Sequence, residues 1–106
     1  MPDMLQHYQA WLDKEPDNRL AMYGVAFELK KRGEVDASRA AFEALLAKHP
    51  HSGAGWFQFG ALFEEDGEED QAIAIWKRGL EALTDATDAE ARRSIAEIEG
   101  ALSALE

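Results

Sequence analysis

The stretch GAGWFQFGALFEEDGEEDQAIAIWKRGLEALTDA, residues 53–86, decides the reading of this chain. Trp56, Phe59 and Phe63 stand three and four residues apart. That spacing lays one apolar stripe along a helix. Gly60 lies inside the stripe, where a missing side chain lets a second helix approach closely. Gly67 follows a run of acids and suits a helix end, because glycine adopts the left-handed backbone without strain. Beyond it, Ala72 and Trp76 offer a small and a bulky side chain, four apart, to the first helix. The stretch therefore predicts two helices folded back on each other.

The preceding stretch, RLAMYGVAFELKKRGEVDASRAAFEALLAKHPHS, residues 19–52, repeats the plan in register. Gly33 and Gly67 are 34 residues apart, as are Phe42 and Trp76, Asp36 and Asp70, Ala40 and Ala74, and Leu46 and Leu80. Tyr8 lies one period before Phe42, and Pro16, Pro50 and Thr84 mark three successive ends at the same interval. A fixed period of this length signals stacked supersecondary units. Proline stops the second helices by removing a backbone donor.

Residues 53–86 resemble the tetratricopeptide pattern W-x2-L-G-x2-Y, A-x3-F, P. The matching positions are Trp56, Phe59, Gly60, Phe63, Ala72 and Trp76, with Thr84 in place of the final proline. Residues 19–52 follow it more loosely through Met22, Val25, Ala26, Leu29, Ser38, Phe42 and Pro50. Ser38 is the one polar replacement. The chain is similar to small bacterial tetratricopeptide proteins. The resemblance implies an all-α superhelix in a single domain, 1–106. It would divide into a half repeat (4–18), two repeats (19–52 and 53–86) and a C-terminal capping helix (87–106). Helices are predicted over about 4–15, 19–32, 36–49, 53–66, 69–83 and 88–105, with Asp3, Asn18, Ser52 and Thr87 as N-caps, Asp3 with Gln6 and Thr87 with Glu90 in capping-box spacing. The last helix leaves the repeat pattern. Its stripe of Ala91, Ile95, Ile98, Leu102 and Leu105 suits either packing on the last repeat or a seam for weak homo-oligomerisation, and Gly100 weakens the latter.

Composition narrows the function classes. The absence of cysteine excludes disulfides and thiolate chemistry. The opening Met1-Pro2-Asp3-Met4 shows no basic or apolar leader segment, and no apolar run reaches membrane-spanning length. The expectation is a cytoplasmic protein. Net charge is −10, and residues 53–106 hold thirteen acids against four bases, or −9. Such a field disfavours nucleic acid and anionic membranes. No phosphate loop, nucleophile elbow or zinc-protease motif is present, so no enzymatic activity is expected. No metal or cofactor is expected either. The acidic run 64–70 lacks the alternating ligand order of a calcium loop. His49 and His51 flank a helix-ending proline, His7 is the one other histidine that could join them, and solvated turn histidines are expected.

A protein or peptide partner remains. In the family, ligands usually lie along the concave face of the first helices. The resemblance places there Leu20, Tyr23, Phe27, Lys30 and Lys31 from the first repeat, and Ala54, Phe57, Gln58, Ala61, Glu64 and Glu65 from the second. The family's best-known ligand, an acidic chaperone terminus, is gripped by a Lys/Asn clamp. Tyr23 and Phe27 stand where the first-repeat Lys and Asn would be, so the expected ligand is an apolar or amphipathic segment instead. Exposed aromatics in such a place are expected anchors. The basic run Lys30-Lys31-Arg32 and the acidic run Glu64-Glu65-Asp66 occupy equivalent places and are expected to lie side by side as a charge ladder between repeats.

Overall fold

The computed structural model describes residues 3–106; Met1 and Pro2, the start of the leader reading above, lie outside the described residues. Six α-helices follow in order: α1 (Met4–Lys14), α2 (Arg19–Lys31), α3 (Val35–Lys48), α4 (Gly53–Glu65), α5 (Glu69–Ala82) and α6 (Ala89–Leu105). No strand occurs among the described residues. The chain divides into two compact units, residues 1–49 and 50–106. The first holds α1–α3 and the second α4–α6.

The boundaries follow local chemistry. Asn18 accepts the amide of Ala21 at 3.0 Å, and Ser52 accepts that of Gly55 at 3.3 Å, each satisfying an orphan donor of the first turn. Helices α2 and α4 end alike. Gly33 and Gly67 sit at φ 77° and 80°. Gly33 N donates to Lys30 O at 3.0 Å and Glu34 N to Leu29 O at 3.1 Å. Gly67 N to Glu64 O and Glu68 N to Phe63 O repeat the pattern at 3.0 and 2.9 Å. These paired bonds form a Schellman motif, for which only glycine is unstrained at the left-handed position. Helices α1 and α3 stop at Glu15 and His49, the residues before Pro16 and Pro50, where the following ring disfavours helical backbone. At the corresponding end of α5, the Thr84 hydroxyl donates back to Leu80 O at 3.1 Å.

The first unit packs α2 against both α1 and α3. Phe42 and Leu45 are fully buried. Ser38, the polar departure from the repeat pattern, is also fully buried, and its hydroxyl donates to Ala26 O at 2.8 Å. A buried hydroxyl so partnered avoids its desolvation penalty. Helix α1 contributes no fully buried residue. Its Tyr8 ring lies on Gly24, where a Cβ would fall 2.5 Å from the ring.

In the second unit, α4, α5 and α6 pack mutually. A Cβ on Gly60 would meet the Trp76 indole at 2.1 Å, and one on Gly79 would meet Trp56 Cβ at 2.9 Å. The two helices thus exchange an indole for a glycine in both directions. Both indole N–H groups are satisfied: Trp76 Nε1 donates to Phe57 O at 3.0 Å and Trp56 Nε1 to Pro50 O at 2.8 Å. Helix α6 buries Ala91, Ser94, Ile98 and Leu102. Ser94 seats on Gly53, where a Cβ would stand 2.3 Å from its hydroxyl. The stripe offered above for self-pairing therefore lies largely inside this unit, while Ile95 and Leu105 are half-buried. One expected cap differs. The N-cap of α6 is Asp88, one residue after Thr87, and its side chain makes no capping hydrogen bond.

Candidate functional site

The five residues read from α2 as a candidate face lie along one side of the helix. Leu20, Tyr23, Phe27, Lys30 and Lys31 are spaced three, four, three and one apart, which puts them on one flank. The other flanks are occupied. Ala21, Gly24 and Glu28 are buried on the flank that meets Tyr8 of α1, and Ala26 meets Ser38 of α3. On the outward flank Leu20 is 58% exposed, one of two large apolar side chains so open among the described residues. The Tyr23 and Phe27 rings stack at 5.8 Å, nearly parallel. Lys31 and Lys30 place their ammonium groups 5.2 and 6.0 Å from the Phe27 ring centre. The result is an apolar strip that turns cationic toward its C-terminal end, with cation–π attraction holding the lysines beside the ring.

The second candidate face, on α4, is distinct in character. Ala54, Phe57, Gln58 and Ala61 are half-buried, and Glu64 and Glu65 are exposed. Phe57 stacks on Trp76 with centroids 6.3 Å apart. It thus has a structural duty within its own unit, which the sequence pattern did not disclose. This face runs from small and aromatic side chains to acids, opposite in sign to the α2 face.

The basic run of α2 is engaged within its own unit. Lys31 pairs with Glu28 at 2.9 Å and Arg32 with Asp3 at 3.1 Å. Asp3 also caps α1 by accepting the Gln6 amide at 2.8 Å. That hydrogen bond first, and then Arg32, hold its carboxyl below the ordinary Asp range. His49 is more than a solvated turn residue. Its Nε2 lies 2.7 Å from Asp17 O. A carbonyl only accepts, so this nitrogen carries the proton. Among the described residues no three His, Asp or Glu side chains converge as a metal would require.

The architecture can now be set beside known structures. The chain superimposes on the tetratricopeptide repeat domain protein of Salinibacter ruber with a TM-score of 0.69, at 23% identity, over 84% of this chain and 99% of that one. This is a tetratricopeptide-like fold. No protein-family model and no curated protein matches the sequence. The positions that carry the tetratricopeptide pattern do the packing it implies: Gly60 receives Trp76, Ala26 lies against Ser38, and the glycines at 33 and 67 close the first helices. Among the described residues, no helix is long and apolar enough to cross a membrane. Sequence spacing missed Gly24, Gly53 and Gly79 as contact points. At Gly24 and Gly79 the available signal was their presence inside helices, where glycine costs about 1 kcal/mol and calls for a reason, whereas Gly53 opens α4 and gave no such signal.

Proposed function

We propose that this protein is a non-catalytic interaction module. It binds apolar or amphipathic segments of partner polypeptides on the outward faces of its first helices, α2 and α4. The observation that carries the reading is the α2 strip, in which Leu20, Tyr23 and Phe27 form an open apolar surface beside two lysines. Rigid, half-exposed aromatics lose little entropy on binding and serve as anchors. Tyr23, Phe27 and Phe57 are the proposed anchors. Lys30, Lys31, Gln58, Ala61, Glu64 and Glu65 set orientation and fit. The tetratricopeptide-like fold supports this by analogy, since folds host more than one function.

The test is selection of displayed random peptides on the purified protein, followed by binding to Phe27→Ala combined with Phe57→Leu. Phe57→Glu is less suitable, because the stack on Trp76 makes it a stability mutation as well. Enriched peptides that bind the wild type, and lose most of their affinity to the folded variant, are expected. Peptides indifferent to both substitutions would move the site elsewhere.

A further inference from the structure

The strip on α2 also narrows the chemistry of what it binds, an inference that deepens the reading proposed above and rests on it. Helix α2 is basic within an acidic chain. It carries Arg19, Lys30 and Lys31 against one acid, Glu28, and Arg32 follows as its C-cap, while the chain has a net charge of −10. Glu28 is buried, so the helix presents almost no carboxylate to solvent. Lys31 pairs with Glu28 at 2.9 Å yet keeps 52% of its side chain exposed. An ammonium group has three donors, so one such pair leaves capacity for a second carboxylate. Solvent also reaches the apolar part of the strip, where Leu20 stands open and the stacked Tyr23 and Phe27 rings are half-buried.

Charge complementarity selects the occupant. A basic amphipathic segment would set its cations against Lys30 and Lys31. A second copy would offer the apolar-to-acidic face of α4, but Phe57 there is committed to its stack on Trp76, and two chains of net charge −10 repel. We infer that the α2 strip docks an acidic amphipathic segment of a partner protein. Leucine or aromatic side chains of that segment cover Leu20, Tyr23 and Phe27, and its Asp or Glu carboxylates lie beside Lys30 and Lys31. Apolar contact supplies the affinity. The two ammonium groups, 6.0 and 5.2 Å from the Phe27 ring centre, sit at one end of the strip and so fix the direction in which the segment lies.

The 15N-labelled protein is titrated with a short amphipathic peptide of leucine and glutamate, and separately with its leucine–lysine counterpart. Saturable shifts are expected at Leu20, Tyr23, Phe27, Lys30 and Lys31 with the glutamate peptide only. Lys30→Gln, which leaves the Lys31–Glu28 pair in place, should weaken binding by about threefold, and Lys30→Gln with Lys31→Gln by about tenfold. Lys14→Gln with Lys77→Gln, an equal change in net charge, should alter it by less than about twofold. Equal weakening by both pairs would mean that only the overall field attracts the peptide, and would overturn the inference. Equal binding of both peptides at the strip would also overturn it while leaving the proposed function in place. Saturable shifts confined to residues outside α2 and α4 would sink both readings. Self-association in sedimentation, abolished by Phe27→Ala, would give the strip to a second copy and overturn the inference as well.

Discussion

Gly60 and Ser38 show how single positions set the helix spacing. Gly60→Ala would drive a methyl into the Trp76 indole, at 2.1 Å from its nitrogen. Relief requires moving a nearly buried ring, so the expected loss is about 1–3 kcal/mol, read as a lowered Tm by calorimetry. Ser38→Ala removes one buried hydrogen bond without adding bulk, and about 1 kcal/mol is expected in urea unfolding. The two experiments rank crowding against polarity at equivalent interfaces. Gly60 and Trp76 were readable beforehand, because a small residue within an apolar stripe and a large ring 16 residues later recur with the repeat, as Ala26 with Phe42 and Gly60 with Trp76. The Ser38 bond was not readable. Residue type reveals that a hydroxyl is present, but its acceptor, Ala26 O, belongs to the backbone of another helix. Phe57 was only half readable for the same reason. Its place between stripe positions was clear, yet its stack on Trp76 depends on the orientation of a neighbouring ring.

Among the elements, α1 and α6 respond differently to solution conditions and substitution. Asp3 caps α1 and pairs with Arg32 only as a carboxylate. Its folded pKa lies below its unfolded one, so the contribution is present above the ordinary Asp value. It is lost as pH falls through the depressed value. Acidification below pH of about 4 should therefore lower the amide protection factors of the first turn of α1, taken relative to the intrinsic exchange rate at each pH, and Asp3→Asn should reduce that dependence. At α6, Thr87→Ala should leave the Tm unchanged, because the helix begins after Asp88 and not after Thr87. A drop would restore Thr87 as the cap. The sequence offered two adjacent capping residue types there, and glutamate three positions after Thr87 favoured the wrong one. The glycine-closed ends of α2 and α4 allowed no such ambiguity, since a single residue in each turn tolerates the left-handed backbone.

At the scale of the molecule, the two units differ in how much each helix conceals. The second unit buries Trp56, Phe59, Phe63 and Trp76 with Ile75, Ile98 and Leu102. In the first, α1 conceals no residue fully. Hydrogen exchange on the whole chain should show α1 opening first and α4 with α5 last, following buried apolar area. Uniform protection across all helices would contradict that order. The three tryptophans already label this hierarchy. Trp56 and Trp76 hand their N–H groups to main-chain carbonyls in shielded places, whereas Trp11, half-exposed, gives its own to the Glu15 carboxylate at 2.7 Å. Two indoles should emit toward the blue and one toward the red. The protein thus carries its own optical gauge, able to distinguish by colour a loosening of the first helix from a melting of the second unit, with no dye attached.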